Sequence, residues 1–152
     1  MPAEEDSAES SESTGGALGG LARRSRREEM SIAEFEDAGE RPVVLWVYTN
    51  SIERRYNRAR EASNTFFEEV LNTPVATAEL AGCLCLKIEG VDLDRDLCRA
   101  YNIRRNSYPQ LLIYDHEGDH LYRLGRCTAE NIAQAIQQAK EVVERRIERE
   151  QR

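Results

Sequence analysis

The 152-residue sequence lacks the features of a membrane protein, a disulfide scaffold or a nucleic-acid-binding protein. No apolar run approaches the roughly 18 residues that a membrane span needs, and no apolar segment follows Met1 as in a secretory signal. Four cysteines are too few to form a disulfide scaffold in a chain of this size. The formal net charge of −7 disfavours nucleic acid and anionic membranes as partners. We therefore expect a cytoplasmic protein with reduced thiols.

Several common catalytic patterns are also missing. The sequence has no glycine-rich phosphate loop and no order of serine, histidine and aspartate that fits a hydrolase. Its two histidines, His116 and His120, flank a predicted turn that contains Asp115, Glu117 and Asp119. We interpret this turn as solvated, because a metal site would need further ligands at suitable spacing. The sequence indicates no metal and no cofactor.

Composition divides the chain into three parts. Residues 1–28 combine acidic, serine and glycine residues with a basic cluster at 23–27, and we predict that they are disordered. Residues 29–142 carry the apolar periodicity of one folded domain. Residues 143–152 read as a charged extension of the C-terminal helix, with Val143 and Ile147 expected to lie beyond the cover of the domain. Those two residues form either a weak self-association seam or part of a solvated helix end.

Apolar runs and helical periodicity predict an alternating α/β order within the domain. A capping box at Ser31 and Glu34 begins a short helix that ends at Gly39. We predict strands at 43–49, 83–88, 110–115 and 120–124, and helices at about 51–71, 75–81, 93–101 and from Thr128 onward. The first strand is almost continuously apolar, which is typical of a central strand covered on both faces.

The four cysteines are mostly interpreted as packing residues. Cys83 and Cys85 alternate along an apolar strand and are expected to be small buried hydrophobes. Cys98 lies in a predicted helix beside Leu97. Cys127 precedes the last helix, whose N-terminus would lower the pKa of a thiol, so it is the candidate reactive thiol.

Several short segments, taken in order, resemble the thioredoxin-like fold superfamily. They are Arg41-Pro42-Val43-Val44 before the first strand, Ser107-Tyr108-Pro109 before the hairpin, Gly118 in its turn and Gly125 before the last helix. The resemblance implies an α/β fold, a three-layer α/β/α sandwich whose mixed central sheet has about four strands and flanking helices. It also implies a cis peptide bond between Tyr108 and Pro109.

The sequence departs from that superfamily at the redox site. Thioredoxins carry Cys-x-x-Cys just after the first strand, and those positions fall near Ile52 and Arg55 here. Their chemistry needs a thiolate at a helix N-terminus and a second thiol one turn away. No cysteine precedes Cys83. The sequence therefore indicates a divergent, redox-inactive member and favours a non-enzyme over an enzyme.

We predict that the domain binds a protein or an extended peptide in the groove beside the cis-proline loop. The exposed backbone of that loop can pair with an extended peptide, and arginines nearby favour an acidic one. The predicted contact residues are Ser107, Tyr108, Pro109, Asn50, Ser51, Arg54 and Arg55. The alternative is a thiol oxidoreductase or redox sensor that uses Cys127 or Cys98. A thioredoxin-like adaptor of the ubiquitin pathway is a third interpretation, although no accompanying ubiquitin-pathway domain is visible.

Overall fold

The computed structural model describes residues 33–152. The predicted disordered tail, 1–28, and the predicted capping residue Ser31 lie outside this range. The first described element is a 3-10 helix, Ala33–Ala38, and Gly39 follows it with φ of 66°. The chain then forms β1 (Val43–Tyr48), α1 (Asn57–Phe66), α2 (Pro74–Leu80), β2 (Leu84–Glu89), α3 (Arg95–Ala100), β3 (Gln110–Tyr114), β4 (His120–Leu124) and α4 (Ala129–Glu150).

The segment predicted as one helix over 51–71 consists of three differently wound pieces. A 3-10 turn at Arg54–Tyr56 leads into α1, and a π-helical turn at Phe67–Leu71 follows it. Thr73 then caps α2: its side-chain hydroxyl accepts the N–H of Ala76, and a proline stands at the first helical position. The sequence did not predict the 3-10 turn or the π-helical turn. The spacing of apolar residues indicates which face of a helix is buried, but not how tightly the helix is wound.

Polar side chains begin α3 and α4, and α4 begins after Thr128 as the sequence predicts. Asp94 caps α3 by accepting the N–H of Leu97 at 2.7 Å. Thr128 and Asn131 form a reciprocal capping box at the start of α4, since each side chain accepts the other residue's N–H at 3.1 Å. These bonds satisfy N–H groups that have no partner within the helix.

The four strands form one mixed sheet in the order β2-β1-β3-β4. Strand β1 runs parallel to β2 and antiparallel to β3, and β3 pairs antiparallel with β4. As predicted, β1 is central and its apolar residues are buried on both faces. Strand β2 lies at the edge of the sheet. Cys83, just before the strand, is buried as expected, whereas Cys85 on the edge strand is exposed, so the expectation of burial is wrong for Cys85.

Alternate residues of β1 face two separate apolar cores, which makes the molecule a three-layer α/β/α sandwich. Val43, Leu45 and Val47 face the first core, which is closed by the 3-10 helix and α3 through Phe35, Ala38, Leu93, Leu97, Cys98, Tyr101 and Ile103. Val44 faces the second core, which is closed by the helical segment 57–71 and by α2 and α4. The mixed sheet and flanking helices confirm the fold class that the sequence predicts.

Helix α4 covers the sheet further than its sequence suggests. Val143 is only 2% exposed, so the expectation that the domain leaves it uncovered is wrong. Ile147 is half-buried. One turn after Val143, the Arg146 guanidinium pairs with the carboxylates of Asp115 and Asp119 in the turn between β3 and β4. No helix within residues 33–152 has both the length and the apolar character required to cross a membrane.

Candidate functional site

Three loops meet at one end of the sheet. Val47, near the end of β1, pairs with Ile88 of β2 and with Gln110, the first residue of β3. The segments that follow β1 (49–53) and β2 (90–92) and the segment that precedes β3 (104–109) are therefore neighbours. We call this end of the molecule the groove end. It contains the segments that the sequence predicts to bind a peptide.

The side-chain amide of Gln110 is buried and forms hydrogen bonds with the backbone of the loop before β3. The Gln110 side chain is 2% exposed; its Nε2 donates to the carbonyls of Arg104 and Ser107, and its Oε1 accepts the Arg104 N–H at 3.0 Å. The Tyr108–Pro109 peptide bond is cis. Sequence reasoning assigned no role to Gln110. The available signal was a polar residue at the start of an otherwise apolar strand.

Tyr108 joins this loop to the end of β2. Its hydroxyl donates to the carbonyl of Gly90 at 3.0 Å and accepts the N–H of Asn106 at 3.3 Å. The ring lies directly against Gly90, where an added Cβ would be 2.1 Å from Cε1 of the tyrosine. Burial raises the pKa of the Tyr108 phenol. Within residues 33–152 the backbone N–H and C=O of Tyr108 form no hydrogen bond.

The loop after β1 is fixed by two side chains. Glu89 accepts the N–H of Asn50 at 2.9 Å and the N–H of Val91 at 3.3 Å, and desolvation raises the pKa of its carboxyl group. Arg60 of α1 donates to the carbonyl of Ser51 at 2.8 Å. The structure thus brings Asn50 and Ser51 to the groove end on an ordered backbone.

An exposed aliphatic side chain and exposed arginines follow in the chain. Ile52 is 89% exposed. Arg54 and Arg55 are exposed too; the guanidinium of Arg55 pairs with Glu53 at 3.2 Å and lies 4.8 Å from the centre of the Tyr56 ring. Tyr56 is close enough to Tyr108 to contribute to the raised pKa of that phenol. The start of the helical segment is therefore beside the cis-proline loop.

The thiols lie in environments that keep them protonated. Cys127 precedes the N-cap of α4, but it is half-buried against the second core and burial raises its pKa. The sequence had led us to expect a lowered value. Desolvation also raises the pKa of Cys98, in α3, and that of Cys83 to about 11. A protonated thiol is a poor nucleophile, so these surroundings do not activate them.

The turn between β3 and β4 is built around a buried carboxylate, which corrects its interpretation as simply solvated. Asp115 is completely buried. Its Oδ1 accepts the N–H groups of Glu117 and Asp119, each at 2.9 Å, while its Oδ2 receives the Arg146 guanidinium. An aspartate that bonds to the backbone two residues later is a common turn device. The sequence could not show Arg146 as the partner, because it lies 31 residues away in the chain.

Comparison with solved structures identifies the architecture. A thioredoxin from Thermus thermophilus is similar to this chain with a TM-score of 0.50 and 16% sequence identity, over 70% of this chain and 78% of that one. The chain has a thioredoxin-like fold. This confirms the resemblance noted in the sequence. At such low identity the likeness shows the fold alone.

Other thioredoxin-like structures give similar values. The C-terminal domain of DsbD from Neisseria meningitidis in the oxidised form has 14% identity and a TM-score of 0.49, covering 70% of this chain and 90% of that one. A thioredoxin from Malassezia sympodialis has 17% identity and a TM-score of 0.46, covering 73% and 89%. No protein-family model and no curated protein sequence matches this thioredoxin-like chain.

Proposed function

We propose that this thioredoxin-like domain is redox-inactive and binds a protein or an extended peptide at the groove end. The observation that carries the proposal is the exposure of Ile52, whose side chain is 89% exposed. It lies in the segment after β1, where the resemblance to thioredoxins would place the redox cysteines that this chain lacks. Single exposed apolar side chains are common on protein surfaces. Ile52 is singled out by its position at the groove end, on an exposed stretch that also carries Arg54 and Arg55. The backbone beneath it is ordered by Glu89 and Arg60, so binding loses little conformational entropy there.

The groove end offers an extended peptide both backbone and side-chain contacts. The N–H and C=O of Tyr108 would pair with the peptide backbone in the manner of an added strand. Ile52 would contact an apolar side chain of the peptide. Arg54 and Arg55 would attract acidic residues, since charge-assisted bonds to carboxylates are stronger than neutral ones. The proposed ligand is therefore an extended segment that combines an apolar residue with acidic ones.

Peptide selection followed by affinity measurement tests this proposal. A randomised peptide library displayed on phage is selected on the full chain, and the enriched peptides are measured by fluorescence anisotropy. We expect acidic peptides with an apolar anchor, and at least about a tenfold loss of affinity in Ile52→Asp. Val75→Asp is the matched control, because Val75 is an exposed aliphatic residue of α2, at 43%. Equal affinity of the two variants would show that the ligand binds elsewhere.

The alternative function is a thiol oxidoreductase or redox sensor. The observation in its favour is that Cys98 belongs to the first core, against which Tyr108 of the cis-proline loop packs. Insulin reduction in the presence of dithiothreitol separates the two functions, with Cys98→Ser and Cys127→Ser as diagnostic variants. We expect no rate above that of dithiothreitol alone. The proposed setting is the reducing cytoplasm, in which Cys83 and Cys98 remain buried thiols.

A further inference from the structure

His116 is a buried imidazole with no hydrogen-bond partner. Its side chain is 8% exposed, and neither Nδ1 nor Nε2 forms a hydrogen bond within the described part of the chain. A buried polar group left unsatisfied is costly, so each such group calls for an explanation. The Nε2 atom is 4.0 Å from Oε1 of Glu150 in the last turn of α4. That separation is too long for a direct hydrogen bond.

Two carboxylates adjoin this imidazole. The carboxylates of Glu117 and Glu150 lie close to each other, one from the β3–β4 turn and one from the last turn of α4, so their negative charges repel. One ligand atom from each of His116, Glu117 and Glu150 lies within 4.8 Å of the other two. A cation placed among the three side chains would reduce the repulsion between the carboxylates. It would also give a ring nitrogen of His116 a partner.

We propose that His116, Glu117 and Glu150 bind a divalent transition-metal ion of the zinc class. Imidazole nitrogen and carboxylate oxygen are ordinary zinc ligands at about 2.0–2.2 Å, and a tetrahedral ion places its ligands about 3.4 Å apart. The three atoms, which now lie within 4.8 Å of one another, would move closer together around the ion. Water would occupy the fourth position, as at other three-ligand zinc sites. The ion ties the β3–β4 turn to the C-terminal turn of α4.

The surrounding charges support a small cation rather than an arginine at this position. Arg146 is already engaged by Asp115 and Asp119, which also fix the turn that carries Glu117. Glu117 and Glu150 line an open cleft of about 400 Å³ together with Asp119, Arg146 and Arg149. Arg149 is a cation of this cleft that would compete with a metal for the two glutamates. Arg149→Gln should therefore strengthen metal binding.

Cobalt titration of the full chain tests the site, because Co²⁺ replaces Zn²⁺ and its absorption reports the ligands. We expect weak d–d bands of a nitrogen- and oxygen-ligated ion, without a thiolate-to-cobalt charge-transfer band, and displacement by Zn²⁺. His116→Gln and Glu150→Gln should each lower the affinity at least about tenfold. His120→Gln is the matched control and should bind as the wild type does. Far-UV circular dichroism checks that each variant is folded.

Two outcomes would overturn the proposal. One is a charge-transfer band with an affinity that His116→Gln leaves unchanged, which would assign the ion to the cysteines. The other is no saturable binding below about 1 mM, an affinity too weak for a built site. A second measurement tests, independently of the spectrum, whether the ion ties the β3–β4 turn to α4. Zn²⁺ should raise the thermal midpoint of the wild type by several degrees and leave that of His116→Gln unchanged.

Discussion

Hydrogen bonds from two side chains, those of Gln110 and Tyr108, fix the shape of the groove end. Gln110 holds the loop before β3 from inside the protein, and Tyr108 attaches that loop to the carbonyl of Gly90. The close contact between the Tyr108 ring and Gly90 leaves no space for a side chain at position 90. The groove therefore depends on a glycine to which the sequence pattern gave no role.

Gly90→Ala tests this contact. The added methyl group would lie 2.1 Å from the Tyr108 ring, so the ring must move and the bond to the Gly90 carbonyl is lost. We expect a loss of about 1–3 kcal/mol in the free energy of unfolding, measured with urea, and weaker peptide binding. Gly125→Ala is the control, because nothing lies within 4 Å of its added Cβ. Unchanged stability in Gly90→Ala would contradict the described packing.

Asp115→Ala tests the buried carboxylate of the β3–β4 turn. The change removes the acceptor of two backbone N–H groups and the partner of Arg146. We expect a loss of about 2–4 kcal/mol in the free energy of unfolding. Asp119→Ala serves for comparison: its carboxylate is 48% exposed and 3.3 Å from Arg146, so its loss should cost about 1 kcal/mol or less. Equal losses in the free energy of unfolding for the two variants would show that burial of the carboxylate does not determine how much it stabilises the fold.

The Cys83 thiol predicts a dependence of stability on alkaline pH. Its pKa in the folded protein is about 11, against an ordinary value of 9.0, mainly because burial disfavours the thiolate. A raised pKa stabilises the fold fully below pH 9 and loses this contribution as the pH rises through 11. Urea unfolding from pH 8 to 11 should therefore show a steeper alkaline decline in wild type than in Cys83→Ala. Parallel declines would mean that the thiol is solvated.

At the scale of elements, helix α4 shows how far a terminal segment contributes to the core. Val143 is 2% exposed, and Arg146 lies against the turn between β3 and β4. Val143→Ala should lower the free energy of unfolding by about 1–3 kcal/mol. Val75→Ala, at an exposed site, should change it by about 0.5 kcal/mol or less. If both substitutions are neutral, the end of α4 is not packed as described.

Removing the end of α4 separates packing from self-association. Truncation after Lys140 deletes Val143 and Arg146, so we expect a lower thermal midpoint. Because Val143 is buried within the domain, the proposed self-association seam reduces to half-buried Ile147. We therefore expect the full chain to sediment as a monomer in analytical ultracentrifugation. A dimer that disappears on truncation would restore the seam as an interface.

The sequence predicts elements better than their positions in the sheet. Continuous apolar runs and polar caps indicate β1, α3 and α4 because these signals are local. The edge position of β2 depends on which strands pair, and nothing in its own residues reports this. Cys85 was consequently expected to be buried, although it is exposed. Likewise Arg146, which pairs with Asp115, and Glu150, which lies 4.0 Å from His116, belong to α4, far along the chain.

At the scale of the molecule, the fold places three loops at one end of the sheet. The order of short segments in the sequence predicts the thioredoxin-like fold, and with it the segments that form the groove end. It does not predict the ties made by Glu89, Arg60 and Gln110, because these depend on side-chain geometry across loops. The result is an ordered surface with an exposed Ile52, near the position where the sequence resemblance would place the redox cysteines of a thioredoxin.

The central claim is that the groove end works by binding and without a thiol. The most direct measurement is the affinity of a selected peptide for a variant in which Cys83, Cys85, Cys98 and Cys127 are all alanine. Circular dichroism verifies that this variant is folded. Our account predicts a dissociation constant within about twofold of the wild-type value, since none of these thiols is proposed to contact the peptide. A folded variant that has lost binding by tenfold or more would contradict it.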